Sequence, residues 1–335
     1  MTFGATILGC AGPSLSAREV SFFREANPFG FILFDRNLED EAQIRSLCDS
    51  LRDCVGRDAP ILIDQEGGRV QRLRPPLAHQ WLPPLEDVAR FGANAPRAMY
   101  LRYRIIAAEM IGVGIDANCA PMVDIATANT HEFLKNRCYG TDLETVVKVG
   151  QAVSGGLLDG GVLPVLKHVP GHGRAVADSH LDLPIVDTDS EVLRNSDFAA
   201  FKGLNDLPMG MTAHITYSAL DDRPATLSPK MMGLIRSEIG FGGLIMTDDI
   251  SMKALTGSLA ELSRLSLDAG CDVVLHCNGK MAEMEDVVDA SGTMGELAQN
   301  RAVAALDCRR TPDPVDISQL HAQLEALVNG TVNDA

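Results

Sequence analysis

Short apolar runs recur along the chain, and most are followed by a polar or glycine-rich stretch and then by a longer segment with helical spacing. Eight of these runs have the length of buried strands. They lie at 5–9, 30–34, 61–63, 114–118, 163–166, 208–212, 243–246 and 272–275. Apolar residues with helical spacing predict helices at 39–55, 96–112, 143–160 and 316–328.

The alternation of strand and helix predicts a parallel sheet built with right-handed crossovers. Eight such units within about 280 residues match a single (β/α)8 TIM-like barrel in number and size. A doubly wound open sheet is the alternative fold. Because no linker or low-complexity block divides the chain, we predict one catalytic barrel domain over 1–335, with the barrel at about 5–280 and a C-terminal helical segment at about 281–330.

Polar and charged residues follow four of the predicted strands, always at the carboxyl end. Asp64 follows the strand at 61–63, Lys167 and His168 follow 163–166, His214 comes just after 208–212, and Asp248 comes just after 243–246. The active sites of (β/α)8 barrels lie at this end, where the loops converge. The four positions therefore predict one active site.

Two of these motifs allow a first chemical interpretation. In DQEGGRVQR at 64–72, Asp64 and Arg72 could hydrogen-bond the hydroxyls of a polyol, although an exposed turn with a surface ion pair would look similar. In TDD at 247–249, one carboxylate could act as a nucleophile or as an acid/base. Strand alternation would turn only one of Asp248 and Asp249 toward a substrate. A helix N-cap is the structural alternative for this motif.

The stretch KHVPGHGRAVADSHLDLP at 167–184 contains three histidines in the spacing His-x3-His-x7-His. Pro170 and the glycines beside it break the helix that a two-histidine metal motif would need, so the stretch is predicted to be a loop. Asp178 and His180 are close enough for the carboxylate to orient the imidazole, which suits a general acid/base pair. Each histidine could instead be structural, and zinc bound by His168, His172 and His180 remains an alternative.

Composition narrows the class of protein. The chain has 335 residues, 46% of them apolar, and a formal net charge of −16, which disfavours binding to nucleic acid or to an anionic membrane. Eight cysteines without a C-x-x-C pair indicate reduced thiols and a cytoplasmic location.

The N-terminal ILGC resembles a lipoprotein processing site. With no Lys or Arg before Cys10 and too short an apolar stretch, we expect a buried strand there instead.

Three motifs in this order, DQEGGRVQR, KHVPGHG followed by DSH, and TDDISM, resemble glycoside hydrolase family 3. The resemblance spans about 5–280 and is strongest to its bacterial cytoplasmic β-N-acetylglucosaminidases of peptidoglycan recycling. It implies a retaining enzyme with Asp248 as nucleophile, His180 as acid/base and Asp178 as the partner of His180. It also implies a sugar site made of Asp64, Arg72, Arg137, Lys167 and His168. The expected partner is a small carbohydrate, without cofactor or metal, for a monomer or weak homo-oligomer.

The chain departs from the family pattern at three positions. Cys138, in the KNRCYG motif that supplies Arg137, stands where relatives usually carry serine or another small residue. Val169 replaces a common phenylalanine, and Arg174 lies in the loop, where it could contact the carboxylates of a muropeptide.

Several functional alternatives stay open at the level of sequence. They are a phosphorylase or a β-glucosidase of the same family, substrate-assisted catalysis by the acetamido oxygen, and a sugar-binding barrel without activity.

Overall fold

Twelve strands lie in the part of the chain that the computed structural model describes, residues 2–176 and 182–328. Their bounds are β1 Gly4–Gly9, β2 Pro28–Leu33, β3 Ile61–Ile63, β4 Gln65–Gly67, β5 Val70–Gln71, β6 Ala117–Asn118, β7 Leu163–Val169, β8 Ile185–Val186, β9 Met209–Thr212, β10 Thr216–Tyr217, β11 Leu244–Met246 and β12 Val274–His276. Eight of them form the central sheet, and these overlap the eight predicted strands. The other four form two small pairs, β4 with β5 and β8 with β10.

The central sheet closes into a barrel. Its strand order is β11-β9-β7-β6-β3-β2-β1-β12, and every neighbouring pair is parallel. A parallel bridge between Met246 and Val273 joins the two end strands, and the Thr247 N–H donates to the Val273 carbonyl at 3.0 Å. The predicted (β/α)8 barrel is therefore confirmed, and the open doubly wound sheet is not the fold.

Helices follow the barrel strands and cover the outside of the sheet. Their bounds are α1 Ala17–Ala26, α2 Glu41–Val55, α3 Pro84–Phe91, α4 Ala95–Gly112, α5 Glu132–Lys135, α6 Leu143–Asp159, α7 Ser190–Asn195, α8 Asp197–Lys202, α9 Pro229–Leu234, α10 Leu259–Ala269, α11 Met281–Ser291, α12 Glu296–Asp307 and α13 Ile317–Val328. The four predicted helices correspond to α2, α4, α6 and α13.

Local chemistry explains why these helices begin and end where they do, and α2 is an example. The Asp40 side chain caps its N-terminus by accepting a hydrogen bond from the Gln43 N–H, and Gly56 ends it in the left-handed conformation. Ile44, Leu47 and other apolar residues at helical spacing bury one face against the sheet. Sequence pattern and packing agree along this element.

The C-terminal helices pack on the barrel. The helix α11 lies against β1 and β12, α12 lies against β11, and α13 packs on α3 and α4. Among residues 2–176 and 182–328, no helix has the length and apolar character needed to cross a bilayer. The N-terminal segment is the buried strand β1, as expected, and all eight cysteines are free thiols.

Candidate active site

A cavity of about 290 Å³ opens at the carboxyl ends of the barrel strands. Its charged and polar lining consists of Asp64, Arg72, Arg137, Lys167, His168, Asp248 and Asp249. Its apolar lining consists of Ile32, Phe34, Val70, Phe133, Met211, Met252, Leu275 and Cys277. The structure thus brings together six of the eight residues that the sequence implicated. The other two, Asp178 and His180, lie outside the described residues.

Asp64 accepts hydrogen bonds from two cations. The Lys167 Nζ donates to its Oδ1 at 3.0 Å, and the Arg72 Nη2 donates to its Oδ2 at 3.1 Å. Burial alone would raise the pKa of Asp64, but the charges of Lys167 and Arg72 outweigh it and hold that pKa well below its usual range. The DQEGGRVQR motif is therefore part of the cavity and is not an exposed turn with a surface ion pair.

Glu66 is a buried acidic residue that the sequence interpretation missed. One oxygen accepts from the Lys167 Nζ at 2.6 Å, and the carboxylate also binds Arg137 Nη2 and Nε at 2.8 and 2.9 Å. Burial would raise the pKa of Glu66, but Arg137 and Lys167 lower it to about 2. A signal was available, since Glu66 lies in the same DQEGGRVQR motif as Asp64 and Arg72.

His168 is held by Asp124, which the sequence interpretation also missed. The Asp124 Oδ2 lies 2.8 Å from His168 Nδ1, and its Oδ1 accepts the His172 backbone N–H at 2.5 Å. Asp124 is fully buried, which would raise its pKa, but the hydrogen bond and charge of His168 lower it. With Nδ1 bonded to Asp124, Nε2 is the ring nitrogen left for a ligand in the cavity.

The geometry around these histidines bears on the zinc alternative. The rings of His168 and His172 lie 5.6 Å apart, centroid to centroid, and His168 Nδ1 is already bonded to Asp124. No group of three His, Cys, Asp or Glu residues within 2–176 and 182–328 is placed to hold a metal ion. His180, the third ligand of that alternative, lies outside these ranges.

Asp248 and Asp249 follow Thr247, the first residue after β11, and both contribute to the wall of the cavity. The strand ends at Met246, so strand alternation does not set the directions of these two side chains, and the expectation that only one of them faces a substrate stays a prediction. The Asp249 carboxylate accepts from Ser251 Oγ at 2.8 Å and from the Cys277 N–H at 3.3 Å. It therefore ties the loops after β11 and β12 together.

The Asp248 carboxylate is kept ionised. Its Oδ1 accepts the Asp249 N–H at 2.8 Å. Burial would raise the pKa of Asp248, but His168, His214, this backbone N–H and Lys167 together hold it below the usual value. The two histidines contribute more to this lowering of the pKa than Lys167 does.

His214 hydrogen-bonds the backbone of the segment that contains Asp248 and Asp249. Its Nε2 lies 3.1 Å from the Asp249 carbonyl oxygen, and its Nδ1 lies 2.8 Å from the Thr226 hydroxyl. Burial lowers the pKa of His214, which favours a neutral ring that donates from Nε2. His214 therefore orients the backbone beside Asp248.

The three departures from the family pattern lie outside the cavity lining. Cys138 and Val169 are fully buried in the packing around the site. Arg174 is engaged by the start of α8, where its Nε donates to Asp197 Oδ2 at 2.7 Å and its Nη2 to Ser196 Oγ at 3.2 Å.

Comparison with known proteins gives the family. The model of the glycosyl hydrolase family 3 N-terminal domain matches residues 15–306. This chain belongs to glycosyl hydrolase family 3. The predicted family and the prediction of a glycoside hydrolase are thereby confirmed.

Relatives within family 3 cover most of the chain. A β-hexosaminidase from Methylobacillus flagellatus is 34% identical over 289 residues, which are 83% of this chain and 81% of the relative. A β-hexosaminidase from Xylella fastidiosa is 35% identical over 286 residues, which are 82% of this chain and 84% of the relative. The crystal structure of NagZ from Neisseria gonorrhoeae in complex with N-trifluoroacetyl-D-glucosamine superimposes with a TM-score of 0.85 at 26% identity, covering 99% of this chain and 98% of that chain.

Proposed function

We propose that this family 3 protein is a retaining exo-β-N-acetylglucosaminidase and that Asp248 is its nucleophile. The observation that carries the proposal is the position of an ionised Asp248 in a cavity that is also lined by Asp64, Lys167, Arg137 and His168. A retaining glycosidase needs an anionic carboxylate below the anomeric carbon. The surrounding groups offer the hydrogen bonds that would hold a sugar above it.

The sugar-binding role is proposed for the charged lining of the cavity. Asp64 has oxygen lone pairs left to accept sugar hydroxyls, and the cationic side chains of Arg72, Arg137 and Lys167 can donate to them. His168 would donate or accept through Nε2 while Asp124 fixes its ring. The cavity volume suits one sugar unit better than a polymer chain, which supports exo action.

The acid/base role is proposed for His180, with Asp178 as the partner that orients it. A protonated imidazole would give its proton to the leaving glycosidic oxygen while Asp248 bonds to the anomeric carbon. The neutral ring would then take a proton from water as that water displaces Asp248. This assignment rests on the family resemblance of the DSH motif.

The substrate proposed is a terminal β-linked N-acetylglucosamine, as in GlcNAc-1,6-anhydroMurNAc muropeptides of cell-wall recycling. The names of the β-hexosaminidase relatives support the sugar, and so does the ligand of the Neisseria structure. The muropeptide, the cytoplasmic location and a monomeric or weakly associated state rest on the resemblance.

The first test is release of nitrophenol from matched aryl β-N-acetylglucosaminide and β-glucoside. We expect the wild type to cleave the first substrate, and Asp248→Ala to lose roughly 10³-fold or more in kcat because the nucleophile is removed. Circular dichroism of the variant checks that it is folded. Cleavage of the glucoside alone would contradict the substrate, and a fully active Asp248→Ala would contradict the nucleophile.

Two further measurements separate the mechanistic alternatives. A sugar trapped covalently on Asp248, located by peptide mass, would exclude substrate assistance. Added phosphate should leave rate and product unchanged; formation of a sugar 1-phosphate would instead identify a phosphorylase.

A further inference from the structure

Glu66 lies behind the sugar-binding cations and does not line the cavity. Its side chain is among the most buried in the protein, with the residue 1% exposed. We propose that Glu66 is a positioning residue that fixes the Lys167 ammonium and the Arg137 guanidinium at the places where they meet the sugar. The proposal rests on the proposed function, because it assumes that these two cations bind substrate.

The first step concerns Lys167, which is 1% exposed. An ammonium has three N–H donors. Two acceptors on the protein side are the Glu66 carboxylate at 2.6 Å and the Asp64 carboxylate at 3.0 Å. Held between the carboxylates of Asp64 and Glu66, the ammonium cannot move toward one without leaving the other. One donor then remains for a ligand in the cavity that Lys167 lines.

The second step concerns Arg137. Its Nε and Nη2 both donate to Glu66, in a two-pronged pairing that fixes the plane of the guanidinium as well as its position. This leaves the Nη1 donors uncommitted to Glu66. The Glu66 carboxylate therefore fixes the positions of two substrate donors, Lys167 and Arg137, and also their position relative to each other.

The third step is that Glu66 is itself anchored. Its backbone carbonyl accepts hydrogen bonds from the Arg102 Nη2 and from the Tyr103 hydroxyl, both on α4. Arg102 is in turn paired with the buried Asp87. Gly67 allows this approach, since a Cβ at that position would meet the Arg102 Nη2 at 1.8 Å. The carboxylate thus projects from a backbone segment that the helix layer holds in place.

Charge provides the fourth step. Burial alone would lower the pKa of Lys167, and the nearby Arg137 charge acts in the same direction, whereas Asp64 and Glu66 together raise it. Removing the Glu66 charge would leave two buried cations facing each other with Asp64 as the remaining shared anion. Both side chains should then move apart, and a misplacement of this kind can cost about 100-fold in rate.

The test compares Glu66→Gln with the wild type on the aryl β-N-acetylglucosaminide. We expect kcat/KM to fall by about 100-fold. The matched control is Asp272→Asn, which removes another buried carboxylate shared by two cations, Arg236 at 2.7 Å and Arg301 at 2.8 Å. Asp272 precedes β12, at the end of the barrel opposite the cavity. This variant should therefore have a lower melting temperature than the wild type and an unchanged kcat/KM.

A series of monodeoxy substrates separates positioning from a general loss of structure. In the wild type, removing the hydroxyl that Lys167 or Arg137 binds should lower kcat/KM strongly. In Glu66→Gln the same deletion should cost much less, while the other hydroxyls keep their wild-type penalties. Unchanged penalties for every hydroxyl, or wild-type kcat/KM in Glu66→Gln, would overturn the proposal.

Failure of the proposed function is distinguishable, because the wild type itself would then not cleave the N-acetylglucosaminide. If Glu66→Gln does not fold, Glu66→Asp is tested on the same substrates. This variant keeps the negative charge and places it one methylene farther from the two cations. The penalty in kcat/KM for removing the hydroxyl bound by Lys167 or Arg137 should then lie between those of the wild type and Glu66→Gln. A wild-type penalty for removing that hydroxyl in Glu66→Asp would then overturn the proposal.

Discussion

At the scale of single residues, the site depends on carboxylates that are each shared by two partners. Asp64 binds Lys167 and Arg72, and Asp124 binds the His168 ring and the His172 backbone. Each shared carboxylate lies far in sequence from a group that it fixes, since Asp64 is 103 positions from Lys167 and Asp124 is 44 positions from His168. Such groups are costly to bury unless paired, so their partners are as important to the site as the residues that line it.

His172 gives a prediction about pH at this scale. Burial and the neighbouring His168 lower the pKa of His172 from 6.5 to about 4. Between these values the unfolded chain binds a proton that the folded chain does not, so the stability from a neutral His172 is present above pH 6.5 and is lost as pH falls toward 4. The expected contribution is about 3 kcal/mol of unfolding free energy over that range.

Urea unfolding of the wild type and His172→Asn at a series of pH values between 8 and 4 measures this effect. The variant should show a shallower decline of unfolding free energy between pH 6.5 and 4. Parallel curves for the two proteins would contradict the prediction.

At the scale of elements, the segment after β7 is fixed by close backbone approach. The alpha carbon of Gly173 lies so near the segment after β6 that an added Cβ would meet the Ile125 carbonyl oxygen at 1.9 Å. The Thr130 hydroxyl donates to the Gly173 carbonyl oxygen at 2.5 Å, and the His131 N–H donates to the Ala175 carbonyl at 3.0 Å. These contacts place the loop that leads from His168 toward the proposed acid/base.

Gly173→Ala should therefore displace this loop. We expect kcat to fall by about 10-fold or more, because the acid/base depends on the path of the loop. The matched control is Gly233→Ala in α9, where an added Cβ meets nothing within 4 Å. That variant should keep its activity and gain up to about 1 kcal/mol of stability, since alanine favours a helix over glycine.

Activity assays and thermal unfolding of both variants provide the measurement. A Gly173→Ala protein with wild-type kcat would show that the loop can move without consequence.

At the scale of the whole molecule, the C-terminal helix α13 covers residues that lie beneath the active-site segment. Leu320, Leu324 and Leu327 bury one face of α13. The His321 ring stacks on Trp81 with centroids 5.9 Å apart. Arg102, which holds Glu66, lies over the same Trp81 ring, with its Cζ 5.1 Å from the ring centroid. Helix α13 thus contacts Trp81, which in turn packs against the arginine that holds Glu66.

Leu324→Ala should lower the free energy of unfolding by about 2–3 kcal/mol, through lost burial and an unfilled space. Because Trp81 is the only tryptophan of the chain, its fluorescence during urea unfolding reports the docking of α13 directly. The control on the same helix is Ile317→Ala, whose side chain is partly exposed and should cost about 1 kcal/mol or less. Equal effects of the two substitutions would contradict a docked α13.

Much of the fold was predictable because its signals are local. The strand at 61–63 and the helix at 143–160 appear in the structure as Ile61–Ile63 and Leu143–Asp159, since short apolar runs, helical spacing and caps act between near neighbours. The motif residues Asp64, Lys167 and Asp248 were also predictable, because the carboxyl ends of parallel strands must meet at one end of a barrel.

The sequence by itself determined the order of strands and helices, the end of the barrel that carries the chemistry and the family resemblance. Only the tertiary structure decided which buried groups pair. Glu66 meets Arg137 across 71 positions, and Asp124 meets His168 across 44. A hydrogen-bond partner is chosen by distance and direction after the chain has closed, and no local pattern of residues encodes that distance.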